Sequence, residues 1–247
     1  MRAASLSPSF ATLYPEIRPL MTADHIPRYN APALVADGLA TTRGGRRVFE
    51  GLSFTVSSGE LLYLRGPNGS GKSTLLRLIA GYGKAHAGSL MFGDSDWTEA
   101  SPAFDGAMIY AGHENALKPV LTLRENAAAY TGVMTGQAPD DARLMAGAAL
   151  FGLTTLLDRP ARFFSSGQKH RANLLRFTLL DRPLWLMDEP TVGLDAANRD
   201  VLADLMKRHL KAGGMIIAAT HDPIGVEGRE LALDDFSPKV VIDEDWL

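Results

Sequence analysis

The stretch Gly66-Pro67-Asn68-Gly69-Ser70-Gly71-Lys72-Ser73-Thr74 has the order Gly, four residues, Gly, Lys, Ser of a phosphate-binding loop. Its neighbours fit that reading. Glu60-Leu61-Leu62-Tyr63-Leu64 ahead of it reads as a buried strand. Thr74-Leu75-Leu76-Arg77-Leu78-Ile79-Ala80 behind it has the spacing of an amphipathic helix. Glycines let backbone N–H groups close around an anion with no Cβ in the way. A helix N-terminus adds partial positive charge at the same point. Lys72 has the reach for β- and γ-phosphates, and the Ser73 hydroxyl is of the type that ligates Mg²⁺. An ordinary Gly-rich turn needs neither the strand nor the lysine, so the stretch predicts a nucleoside-triphosphate site.

The remaining composition narrows the class. A chain of 247 residues, 46% of them apolar, can build one large domain or a domain with an inserted lobe. A net charge of −3 gives no support for a nucleic-acid partner, and none is expected. The absence of cysteine excludes disulfides and thiolate metal sites. No apolar run approaches the roughly 20 residues of a membrane-spanning helix, and the N-terminus has no long apolar core of the signal-peptide kind. Residues 1–31, with their Pro and Ser and weak periodicity, are expected to be a mobile extension.

From Leu34 the pattern changes. Leu34-Val35-Ala36 and Val48 to Val56 read as strands, with Arg43-Gly44-Gly45 as a turn between them. Ser89 to Phe92 and residues 106–111 are further short strands. Residues 114–180 are then helix-rich: Thr122 and Glu125 suit a capping box, Asp140 to Phe151 is Ala-rich, and Ser165 to Leu180 reads as one helix. Strands resume with Leu184-Trp185-Leu186-Met187, a continuous apolar run of the kind a covered parallel strand needs. Asp195 suits the N-cap of a helix running to Lys211. Met215-Ile216-Ile217-Ala218-Ala219 is a last buried strand, ending at Thr220-His221-Asp222. Strands alternating with helices argue an α/β fold with a mostly parallel core sheet, interrupted by a helical lobe.

Asp188-Glu189 close the apolar strand at 184–187. A carboxylate at the carboxyl end of a buried strand can face the phosphate loop and hold Mg²⁺ through water, the role assigned to Asp188. Glu189 is placed to act as general base on an attacking water. With these residues in order, Phe164-Ser165-Ser166-Gly167-Gln168 resembles the signature motif of ATP-binding-cassette (ABC) ATPases. Gly193-Leu194-Asp195 resembles that family's D-loop, and His221 its switch histidine. The resemblance covers about residues 33–235. It implies a domain over 32–240 with an antiparallel β subdomain and the helical lobe at about 114–180 inserted in the catalytic core. Residues 241–247 are left as a tail. It also implies that two copies pair head to tail on ATP and Mg²⁺. Ser166, Gly167 and Gln168 of one copy, with Asp195, would then meet the nucleotide held by the other, and His221 would bond the γ-phosphate.

Two positions depart from the family pattern. Where a Gln usually touches Mg²⁺ and water, this chain offers His113, in Tyr110-Ala111-Gly112-His113-Glu114-Asn115. Where an aromatic usually stacks on adenine, Arg43 stands by spacing; a guanidinium can stack on a base, and a solvated turn residue is an equal reading. With Leu121-Thr122-Leu123-Arg124-Glu125-Asn126, these departures resemble the ATPase subunits of haem exporters in bacterial cytochrome c maturation (CcmA type). That likeness implies a peripheral ATPase on the cytoplasmic face of the inner membrane, driving separate integral membrane subunits. An ABC transporter ATPase for another substrate is the alternative. A soluble cassette of DNA or ribosome metabolism would be expected to carry two cassettes, a coiled-coil insertion or a basic arm, and none is seen.

Overall fold

The computed structural model of the protein describes residues 27–98 and 104–238. Of the expected extension, residues 1–26 lie outside these, as does the tail 241–247. The chain forms, in order, β1 (Leu34–Arg43), β2 (Arg46–Val56), β3 (Leu61–Arg65), α1 (Lys72–Ile79), β4 (Ala87–Phe92), β5 (Ser95–Asp96), α2 (Phe104–Ala107), β6 (Met108–Ala111), α3 (Leu123–Thr135), α4 (Asp141–Leu150), α5 (Ser166–Leu174), α6 (Arg176–Leu179), β7 (Leu184–Asp188), α7 (Ala196–Lys211), β8 (Met215–Ala219) and β9 (Arg229–Ala232). They divide into two compact units. One holds Tyr29–Glu114, Arg182–Val192 and the chain from Leu202; the other holds Asn115–Asp181 with Gly193–Val201.

The first unit contains two sheets. Five parallel strands lie in the order β6-β7-β8-β3-β9, and four antiparallel strands in the order β2-β1-β4-β5. Strands β7 and β8 are buried at every residue, as their unbroken apolar runs require. Leu34, Phe49, Leu52, Leu75, Ile79, Leu90, Trp97, Leu186 and Ile217 belong to one core cluster that joins strands of both sheets to α1. Register then sets the chemistry. Leu64 pairs with Ala219 and Asp188 with Ala219 across three adjacent strands. The segments after β3, β7 and β8, starting at Gly66, Glu189 and Thr220, therefore leave the same carboxyl edge side by side.

β1 runs seven residues beyond the expected Ala36, to Arg43. Gly38 does not end the strand. It takes a left-handed φ of 60° inside an irregularity of the ladder between Ala36 and Leu39, where the strand bulges instead of stopping. Residues of the expected extension are also tied down near the core: Tyr29 N–H donates to Ala212 O at 2.7 Å, and Ala31 packs on the core cluster.

In the second unit the expected capping box is present. Thr122 Oγ1 accepts from Glu125 N–H, and Glu125 Oε2 accepts from Thr122 N–H at 2.8 Å. The single helix expected over Ser165 to Leu180 is two. Around Leu175 the backbone stays right-handed, but Thr178 N–H and its hydroxyl both turn to Leu175 O, at 2.9 and 2.7 Å. A threonine hydroxyl competing for that carbonyl tightens the turn.

Candidate nucleotide site

The helices differ at their N-termini. Side chains of Thr122, Asp140 and Ser165 cap α3, α4 and α5. α1 has Gly71 at its N-cap, with no side-chain cap and no acidic residue in its first turn. Its leading N–H groups are therefore left for a ligand, and an anion satisfies them best. Gly71 cannot be replaced without cost: its φ is 101°, and a Cβ there would lie 2.7 Å from Val48 Cγ1. Gly66, at φ 136°, would put a Cβ 2.7 Å from Ser70 Oγ. The loop is a backbone cradle that side chains would fill.

Lys72 is buried, and its ammonium donates to the carbonyls of Gly66 and Pro67 at 2.6 and 3.0 Å. The cation is thus held at the loop on which it would serve a phosphate. Next along, Ser73 Oγ donates to Asp188 Oδ1 at 3.0 Å. Asp188 ends β7, is only 4% exposed, and has come from 115 residues away to meet this hydroxyl. A serine hydroxyl and one carboxylate are hard oxygen donors. They suit Mg²⁺, which is commonly held by one or two protein groups together with substrate phosphates and water. Among the described residues no cluster of three or more His, Asp or Glu could hold a metal ion alone.

Glu189 is one of two non-glycine residues with positive φ among the described residues, at 53°. Its N–H donates to Ala219 O at 2.8 Å, which binds the turn after β7 to the end of β8. His221, just past β8, brings Nε2 within 3.6 Å of Glu189 Oε1 and 3.2 Å of Asn68 Oδ1. A carboxamide oxygen only accepts, so Nε2 carries the proton there. Three segments distant in sequence therefore converge: phosphate loop, carboxylate pair and histidine.

Sequence reasoning did not single out the groups that brace this convergence. The hydroxyls of Thr191 and Thr220, both buried, meet at 3.3 Å between the carboxylate and histidine segments. Arg65, at the end of β3, donates from Nη1 to Thr220 O at 2.6 Å and from Nε to Glu230 at 2.9 Å. An arginine ending an otherwise apolar buried strand was the available signal. His113 and Arg43 are exposed, and no hydrogen bond brings either onto Ser73, Asp188 or Glu189.

The signature residues lie in the other unit. Ser165 and Gln168 form a second capping box, with Ser165 N–H donating to Gln168 Oε1 at 2.9 Å and Gln168 N–H to Ser165 Oγ at 3.2 Å. The Gln168 side-chain amide oxygen is thus committed to the helix start. Gly167 sits so close to Gly193 that a Cβ would lie 3.2 Å from its carbonyl oxygen. Asp195 Oδ1 accepts from Asn198 N–H and Nδ2 at 2.9 and 2.7 Å. Those two bonds hold its carboxyl below the usual carboxylate range.

Set against known proteins, residues 49–192 match the family model for ABC transporters. The chain belongs to this family, and is an ATPase of the ABC type. Across 84% of its length it is 46% identical to a Rhodospirillum rubrum protein, covering 89% of that relative, which is named cytochrome c biogenesis ATP-binding export protein CcmA. The fold is also that of solved cassettes. A putative ABC transporter ATP-binding protein from Pyrococcus furiosus aligns over 83% of this chain and all of its own, with a TM-score of 0.72 at 20% identity. A dimeric cassette in a post-hydrolysis state with ADP and phosphate aligns over 76% of this chain and 88% of its own, with a TM-score of 0.68 at 21% identity.

Proposed function

We propose that this chain is the ATP-hydrolysing subunit of a bacterial transporter that serves haem handling in cytochrome c biogenesis. It would act as an ATP-dependent homodimer on the cytoplasmic face of the inner membrane, docked to separate integral membrane subunits through its helical lobe. The observation that carries the ATPase reading is the Ser73–Asp188 bond at 3.0 Å, with Glu189 and His221 beside it. The name of the R. rubrum relative supports the cytochrome c assignment, and the dimeric solved cassette supports the pairing.

The chemistry follows from the residues. Phosphate oxygens replace the Gly66 and Pro67 carbonyls as acceptors for Lys72, while the free N–H groups at the start of α1 bind the same anion. Ser73 and Asp188 would hold Mg²⁺, which neutralises charge on the β- and γ-phosphates when bound. Glu189 takes a proton from water as the water oxygen bonds to the γ-phosphorus. The bond from that phosphorus to the bridging oxygen breaks, and ADP leaves with the electron pair. His221 exchanges Asn68 for a γ-phosphate oxygen and holds the reacting group in line.

On the second copy, the capping box at Ser165 and Gln168 leaves the N–H groups of Ser166 and Gly167 to donate to that phosphate, with Asp195 lining the junction. His113 takes the place of the γ-phosphate-sensing amide, and Arg43 lies at the base. Glu189→Gln tests the core of this reading. It should keep ATP affinity, lower turnover by about 10²-fold or more, and trap an ATP-dependent dimer seen by light scattering. Turnover near the unmodified rate would overturn the base assignment. Co-purification with membrane subunits, and the identity of what they carry, tests the haem assignment.

A further inference from the structure

Ser73 and Thr74 are adjacent on α1, so their side chains leave the helix about 100° apart. Ser73 faces Asp188. Thr74 instead lines a separate cavity of about 360 Å³, together with Thr41, Arg43, Arg77, Lys84 and His86. The terminal-phosphate end of a bound nucleotide belongs at Asp188, Glu189 and His221. A nucleotide whose other end leaves the loop on the Thr74 side runs into this cavity. The size suits a nucleoside. The lining carries cationic side chains and hydroxyls and no acidic group.

Tyr82 also lines this cavity, and at 74% exposure it is among the most exposed large hydrophobic side chains of the described residues. It does not hang on a loose loop. Gly81 N–H donates to Leu78 O at 3.0 Å and Tyr82 N–H to Arg77 O at 2.8 Å. That pair of bonds, with Gly81 at φ 75°, is a Schellman motif closing α1. Beyond it, Thr41 Oγ1 donates to Lys84 O at 3.0 Å, and His86 N–H to Ala40 O at 2.7 Å. The segment 81–86 is therefore pinned at both ends, to α1 and to β1. It holds out an aromatic ring that meets the Tyr110 ring at 5.8 Å on one side and is otherwise largely exposed.

We propose that Tyr82 is the stacking platform for the base of the bound nucleotide, supplied from the far end of the phosphate-loop helix. At the position expected for the stacking aromatic the chain has Arg43, on the wall of the same cavity. Tyr82 gives the base a π-surface, while Arg43, Lys84 and His86 offer donors to its ring nitrogens and to the ribose and α-phosphate oxygens. This assignment rests on the ATPase reading and adds to it a determinant of affinity for the nucleoside.

The test compares two ligands on the full chain: ATP in the Glu189→Gln background, and inorganic tripolyphosphate, which has no base. Tyr82→Ala should weaken ATP about tenfold and leave tripolyphosphate affinity unchanged, and Tyr82→Phe should bind ATP as the parent does. Unchanged ATP affinity in Tyr82→Ala overturns the proposal, as does an equal loss of both ligands, which would mean that the loop has been disturbed. A parent chain that binds neither ligand overturns the phosphate-loop reading itself, and this assignment with it.

Discussion

Glu189 shows at one residue what the site costs. A left-handed backbone brings the Cβ of an ordinary residue such as glutamate too close to the following carbonyl oxygen, at a cost of about 1–2 kcal/mol, and asparagine tolerates it far better. The position is forced. Glu189 N–H must reach Ala219 O, and Pro190 follows directly. The carboxylate also stands next to Asp188 in sequence and only 20% exposed. Glu189→Asn should thus raise stability by about 0.5–1 kcal/mol, read from the urea midpoint of the nucleotide-free chain, while it removes turnover. A lower midpoint would show that the strain is not located there. The conflict between backbone comfort and a carboxylate at this point is the pattern expected where function, not folding, chose the residue.

At the level of elements, the ends of strands carry the site and their bracing decides its precision. Arg65 holds the Thr220 carbonyl, one residue before His221, and ties it to Glu230 on β9. Its guanidinium also lies over the Tyr63 ring at 4.8 Å. Methionine there keeps the apolar stem but frees the carbonyl. Arg65→Met should lower kcat about tenfold while ATP affinity moves less than about threefold, because it is His221 that loses its fixed base. An equal loss in both would mean damage to the phosphate loop instead. Much of this architecture was legible in the sequence. The phosphate loop, the buried runs at 184–187 and 215–219, and the Thr122–Glu125 box have local signals, since glycine spacing, apolar continuity and capping chemistry act within a few residues. β9 was not legible. Its sequence, Arg-Glu-Leu-Ala, is charged and half exposed, as befits an edge strand, and it is placed by a parallel ladder to β3, flanked by ion pairs of Arg229 with Glu60 and of Glu230 with Arg65. Those partners are more than 160 residues away. The meetings of Arg65 with Thr220 and of Thr191 with Thr220 are equally long-range, so sequence alone points to the chemical groups and not to what steadies them.

Global stability of the unit that carries the nucleotide site has its own titratable weak point, at the amino ends of β7 and β8. His209 is 4% exposed near the end of α7. Its ring stacks on Trp185 at 3.7 Å, meets Tyr29 edge-on at 5.2 Å, and has Nε2 3.0 Å from Pro183 O. Gly214 has no room for a Cβ, which would fall 2.2 Å from that ring. Burial pushes the imidazole down to about 4, against hydrogen bonds to the backbone of Pro183 and Met215 that favour its protonated form. The folded state therefore resists a proton that the unfolded chain accepts near pH 6.5. The associated stability is fully present above pH 6.5, is lost as pH falls towards 4, and changes no further below that. Over this window the histidine accounts for a loss on the order of 3 kcal/mol. Carboxylates also titrate in the lower part of the range, so the informative quantity is a difference between chains. His209→Phe keeps a ring between Trp185 and Tyr29 but cannot titrate. It should be less stable than the parent at pH 7.5 by about 1 kcal/mol, for the lost bond to Pro183 O. By pH 4.5 it should be the more stable of the two. Urea midpoints taken at intervals across that range decide it: two curves that stay parallel would show that His209 is protonated as readily in the folded chain as in the unfolded one.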